Sequence, residues 1–232
     1  VPFLPLPYVE SWPYIFASVL LHLGYQLFLV KAYVYGDLGQ VYPIARGISP
    51  LLLGFITVFW IGEELTLQMM SAIGLISLGI FSLMFSGKMS IKYTFRPIFY
   101  ALATGSFIAA YTLADGVGVR ASGNAASYVL WLMALECLPL LGITLILRKR
   151  TVFSSIHKNW KYAVPGGFLS LSAYWIVIWA MQHAPIALVS AIRESSVVIA
   201  ALMSIWVLKE ETTVRHLLSA VMVAAGVILT RL

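Results

Sequence analysis

Two arginines interrupt apolar stretches of this chain. Arg46 sits in YPIARGISPLLLGFITVFW and Arg193 in VSAIRESSVVIAALMSIWV. A charged side chain in hydrocarbon costs about 2.5–3.5 kcal/mol on insertion scales, so each is a functional candidate by default. One reading is a pair of guanidinium forks that hold a carboxylate or phosphonate bidentately. The other is that each arginine snorkels to its helix end, or pairs with an internal acid and locks the bundle. Glu194 beside Arg193 is such an acid. Adjacent helix positions point about 100° apart, so Arg193 and Glu194 are expected to face different spots. Ser49 and Ser196, three residues beyond the two arginines, join the candidate set with Tyr25, Tyr174 and Trp175. Those three aromatics, with Trp179, suit either a cavity lining that stacks substrate or ordinary packing.

Two further carboxylates fall in apolar surroundings. Asp115 ends YTLAD, four residues after Tyr111 and three after Thr112. It suits a proton-coupling carboxylate, a counter-ion to an arginine, or a helix end marked by Gly116 and Gly118. Glu136 lies inside LWLMALECLPL with no charge near it, so it must be protonated, paired or wet. It serves as a proton relay or as an interhelical hydrogen bond. His22 and Lys31 are nine residues apart, which puts them on opposite faces of one helix and excludes a shared constellation. Pro43 and Pro50 flank Arg46, and each removes a backbone donor, so the helix is expected to kink or unwind at the arginine.

These residues must be positioned by membrane helices. Of 232 residues, 61% are hydrophobic and 10% charged, against roughly 25% charged in soluble domains. Mean hydropathy is +0.92. So few charges cannot clothe a water-facing surface, so the surface faces lipid. A spanning helix needs about 20 apolar residues, and eight stretches qualify: 12–35, 39–62, 66–86, 94–118, 125–147, 160–182, 185–208 and 214–231. Breakers separate them at Gly36-Asp37, Glu63-Glu64, Gly87-Lys88, Gly123-Asn124, Arg148–Arg150, Ala184-Pro185 and Glu210–Thr213. No stretch alternates as a β-barrel strand does. The expectation is an all-α integral membrane bundle of eight transmembrane helices. The net charge of +6 resides in loops suited to anionic lipid and does not point to nucleic acid. The single Cys137 excludes an internal disulfide and a cysteine-based metal site. The four histidines, His22, His157, His183 and His216, show no i, i+4 pair, and no nucleophile motif or phosphate loop appears. Neither an enzyme, a metal nor a cofactor is expected.

The chain also repeats itself. At a fixed offset of 147, Arg46 falls on Arg193, Ser49 on Ser196, and Glu63-Glu64 on Glu210-Glu211. Further on, Ala72 meets Ser219, Ser77 meets Ala224 and Gly79 meets Gly226. The two arginines lie five spans apart, and an odd number of crossings inverts one copy against the other. Inverted repeats with a site at their interface are a transporter architecture. If the unit is five helices, residues 1–88 hold three helices of a first copy and 89–232 a complete second copy. Two leading helices are then expected to be missing. The acidic pairs at helix ends oppose the macrodipole unless they open the next helix, where Thr66 and Thr212 or Thr213 would cap. Ser71, Ala72, Gly74, Ser77 and Gly79, with Ser219, Ala220, Ala224, Ala225 and Gly226, allow close helix approach between the repeats or between protomers of a homodimer.

The WIGEE and VLKEE endings, each before a helix of small residues, resemble the EamA domain of the drug/metabolite transporter superfamily. YPIARGISPLL, YTLADGVGVRASGN and APIALVSAIRESSVVIAAL are similar to that family too. The resemblance covers essentially the whole chain, as helices three to ten of a ten-helix protein. It implies two inverted five-helix repeats around a central cavity and a secondary carrier of a small polar metabolite, anionic or amino-acid-like, in the bacterial inner membrane. The competing expectation is a truncated carrier that acts only as a partner subunit. On orientation two signals disagree. Lys88, Lys92, Arg96, Arg148, Lys149, Arg150, Lys158, Lys161, Lys209 and Arg215 share one side, opposite Arg120 and Arg231, which places the C-terminus outside. The family pattern places both termini inside.

Overall fold

The computed structural model describes residues 5–36, 38–84, 95–148, 151–199, 203 and 214–230. Eight α-helices run through them: α1 (Trp12–Tyr35), α2 (Leu38–Ile56), α3 (Leu67–Leu83), α4 (Phe95–Ala121), α5 (Ala125–Arg148), α6 (Thr151–Met181), α7 (Ile186–Glu194) and α8 (Val214–Leu229). No strand occurs among the described residues. The chain is an all-α integral membrane protein that crosses the bilayer several times. Five helical segments are long and apolar enough to span it: Val9–Tyr35, Val41–Ile61, Phe95–Ala121, Ala125–Ile146 and Lys158–Met181. α3, α7 and α8 are shorter, at 17, 9 and 16 residues. The surface fits a lipid solvent: Leu20, Val34, Phe59, Trp60 and Val221 are exposed, while Ser18, His22, Thr112, Asp115, Ser190 and Glu194 are buried. The pairs Glu210-Glu211 and Thr212-Thr213, and the basic positions Lys88, Lys92, Lys149, Arg150, Lys209 and Arg231, lie outside the described residues.

Helix ends follow local chemistry. Gly123 adopts φ +71° after α4, a left-handed conformation that side chains disfavour. Asn124 then accepts the Ser127 N–H through Oδ1 at 3.1 Å, capping α5. Thr66 caps α3 as expected, its hydroxyl accepting the Met69 N–H at 3.2 Å. α6 begins at Thr151, well before the expected 160, because no residue between 151 and 164 breaks a helix.

The interruptions fall elsewhere than the prolines suggested. α2 stays α-helical past Pro43, Arg46 and Pro50, so unwinding at Arg46 is not found. It widens instead into a π-helical turn over Thr57–Ile61, closed by Gly62 at φ +74°. The second helix is the one that breaks at its charge. α7 starts after Pro185 and ends at Glu194, where Ser195 N–H turns to the Ile192 carbonyl at 3.1 Å. Helical bonding resumes over 196–199.

Contacts divide the chain into two compact units, 1–23 with 114–183, and 24–113 with 184–232. In the second unit α3 packs on α8. Ser219 Oγ donates to the Gly79 carbonyl at 2.7 Å, and Gln68 Nε2 donates to the Leu229 carbonyl at 2.6 Å. A Cβ built on Gly79 would meet Val223 at 2.7 Å, and one on Gly226 would meet Ile76 at 2.6 Å and the Ala72 carbonyl at 3.0 Å. The helices are therefore antiparallel, and their small residues serve contact inside the chain. The contact is reciprocal. Gly79 touches Ser219, and Gly226 touches Ala72, and at the offset of 147 these two contacts exchange places. Ser71 and Gly74 stay out of this seam: Ser71 is exposed and bonds back to the Leu67 carbonyl, and nothing lies within 4 Å of a Gly74 Cβ.

Glu63 serves as a helix-end partner, a role an acid at a helix boundary suits, but for a helix distant in sequence. Both carboxylate oxygens accept the Ile186 N–H, at 3.1 and 3.0 Å. Pro185 offers no side-chain cap, so the positive end of α7 is satisfied by an acid from the segment after α2. Glu64 is exposed. Two outcomes follow. Gly226→Leu should lower stability by about 1–3 kcal/mol or more, because a backbone carbonyl cannot yield; thermal unfolding in detergent, with Gly74→Leu as the near-neutral control, measures it. Glu63→Ala should speed amide exchange over 186–189 relative to α3, read by hydrogen–deuterium exchange mass spectrometry.

Candidate functional site

The second unit gathers the charges. Glu194 is fully buried and accepts from both arginines. Arg46 Nη1 donates to Oε1 and Oε2 at 3.3 and 3.2 Å. Arg193 donates to Oε1 from Nε at 3.1 Å and from Nη2 at 2.8 Å. The expectation that Arg193 and Glu194 face different spots is overturned. Their Cα–Cβ bonds diverge, but the long arginine stem folds back across one helical step to reach the carboxylate.

α2 and α7 deliver these groups by running antiparallel: Arg46 meets Glu194 near one end, and Glu63 meets Ile186 near the other. The guanidinium groups keep 22% and 15% side-chain exposure, so both reach the edge of the buried carboxylate. Tyrosines surround them. The Tyr42 ring lies 5.3 Å from Arg46 Cζ, and the Tyr111 ring 6.0 Å from Arg193 Cζ. Tyr25 packs edge-on to Tyr111 at 5.7 Å, and Arg193 Nη2 reaches Thr112 Oγ1 at 3.4 Å. Of the residues expected here, Arg46, Arg193, Glu194 and Tyr25 come together. Ser49 is buried, and its hydroxyl has no hydrogen-bond partner among the described residues. Ser196 is exposed beyond the α7 break and makes no described contact with the cluster. Sequence reasoning missed Tyr42, although it sits four residues before Arg46 and so shares its helix face.

The first unit holds a separate polar cluster. Asp115 is fully buried inside α4, which continues through Gly116 and Gly118 to Ala121, so it does not mark a helix end. Gly118 is needed for packing here: a Cβ would lie 2.6 Å from the Tyr128 hydroxyl. Tyr128 donates to Asp115 Oδ1 at 3.1 Å and Tyr174 donates to Oδ2. His22 Nε2 lies 3.5 Å from the Tyr174 hydroxyl. Tyr174 therefore belongs with Asp115, while Trp175 beside it is 46% exposed. Trp179 is exposed and packs on His183. Glu136 is half-buried on α5. His22, separated from Lys31 as expected, joins the aspartate cluster, and Lys31 lies 5.8 Å from the Tyr100 ring.

A solved crystal structure of a protein superposes with a TM-score of 0.70 at 16% identity, over 94% of this chain and 76% of the other. That likeness speaks for the fold alone. No curated protein matches. The family model described as the EamA-like transporter family matches residues 95–232. That segment covers more than half of the chain and includes α4 to α8, and the chain belongs to the EamA-like transporter family.

Proposed function

We propose that the chain is a secondary carrier for a small polar metabolite with an anionic group, amino-acid-like in size, in the bacterial inner membrane. The observation that carries this reading is the trio in which Arg46 and Arg193, both half-buried, share the fully buried Glu194. Two guanidinium charges share one carboxylate, which leaves the trio one positive charge in excess. Low-dielectric surroundings magnify that excess, so a carboxylate or phosphonate is the complementary ligand. Arg46 bonds Glu194 through Nη1 alone, so among the described residues its Nε and Nη2 donors remain available to such a group. The tyrosine faces of Tyr25, Tyr42 and Tyr111 would receive its apolar part or an ammonium.

Alternating access is the mechanism we favour, between a three-helix repeat at 1–88 and a five-helix repeat at 89–232. The antiparallel pairing of α2 with α7, and the reciprocal α3–α8 contact, support an inverted duplication. The α7 break at Ser195, next to the charges, suits a site built on a discontinuous helix.

Proteoliposome uptake of amino acids and organophosphonates tests the site. Arg46→Gln and Arg193→Gln should each lower initial rates about tenfold or more, the scale of one charged hydrogen bond of about 1.5–3 kcal/mol. Unchanged rates in both variants would sink the assignment. Glu194→Gln addresses stability. It strands two guanidinium groups where either arginine variant strands none, so it should cost about 3–5 kcal/mol and unfold at a lower temperature than both.

A further inference from the structure

We propose that His22, Tyr174 and Asp115 form a proton-binding relay inside the membrane, distinct from the arginine cluster. The geometry assigns each group its part. His22 Nδ1 lies 2.9 Å from the Ser18 carbonyl, an oxygen that only accepts, so Nδ1 carries the hydrogen and Nε2 keeps its lone pair. Nε2 faces the Tyr174 hydroxyl, which already donates to Asp115 Oδ2. A proton taken up at Nε2 therefore makes an imidazolium that donates to Tyr174 Oη. Moving two hydrogens one place each, from Nε2 to Oη and from Oη to Oδ2, leaves His22 neutral and Asp115 a carboxylic acid. No bond other than O–H and N–H changes, and the cluster's charge rises by one per proton bound.

Among the described residues, the groups that face the Asp115 carboxylate come from three other helices. From α1 come His22 and Ser18, whose hydroxyl also bonds Asp115; from α5 comes Tyr128, and from α6 Tyr174. On α4 itself, Arg120 turns to the Met181 carbonyl at 2.9 Å. Asp115, Ser18, His22 and Tyr128 are buried and Tyr174 is half-buried, so a proton held on Asp115 or His22 is held away from bulk water. Two phenol hydroxyls converge on one carboxylate, and the imidazole stands beside one of them as a second proton-accepting group.

Solid-state NMR of the full chain in liposomes, labelled with 15N-histidine and 13C-aspartate, reads both ends of the relay. The chain has four histidines and only two aspartates, Asp37 and Asp115, so His22→Gln and Asp115→Asn assign the signals. The expected result is that His22 Nε2 and Asp115 Cγ titrate with one shared midpoint, which splits into two in Tyr174→Phe. Independent midpoints in the unmodified protein, or no response of either nucleus to pH, overturn the proposal. The unmodified protein alone decides this, so a variant that fails to fold does not shield it. No substrate is needed, and the outcome is separate from that of the arginine-site assay.

Discussion

A carboxylate with no exposed surface, held by guanidinium groups from two helices, sets the terms for the second unit. Inside hydrocarbon, neither Arg46 nor Arg193 can be left to water, and Glu194 cannot be left to itself. The three must therefore meet, which obliges α2 and α7 to run antiparallel and α7 to stop where Glu194 turns inward. The tyrosines then fill the space the arginine stems leave, presenting ring faces to cations. What is usually the cheapest stabilisation in a membrane, close packing of small residues, is relegated to α3 and α8 next door.

The two clusters divide the polar chemistry between the two compact units. One holds excess positive charge at a partly open edge. The other holds a fully enclosed acid among hydroxyls and an imidazole. On the reading proposed above, the first takes an anion and the second a proton, so charge moved through a low-dielectric core is balanced at separate sites.

Much of this was legible in the sequence, and the reasons are specific. The apolar runs declared their helices because lipid imposes length and composition together. The rarity of arginine in such runs marked Arg46 and Arg193, and the offset of 147 joined the small residues of α3 to those of α8. What escaped was side-chain reach. Angular spacing on a helix locates a Cβ, not the end of an arginine, so the Arg193–Glu194 pair was misjudged. Proline spacing placed a distortion at Arg46, yet the helix accommodated both rings and widened only about two turns after Pro50. Asp115 beside two glycines read equally as a helix end, because nothing local announces Tyr128, Tyr174 and His22, which arrive from three other helices. Glu63 reaching the start of α7 is likewise a contact across 123 positions, beyond any local pattern.

That last contact has a mechanical consequence. α7 is nine residues long and is fastened at both ends, by Arg46 of α2 at Glu194 and by Glu63, from the segment after α2, at Ile186. Sliding one helix past the other by a single residue, about 1.5 Å, would stretch bonds of 3.0–3.3 Å at both fastenings at once. The pair therefore resists sliding. Bending that keeps these bonds is left to the wide turn before Gly62, which lies between the two fastenings, and to the tight one at Ser195, just beyond them.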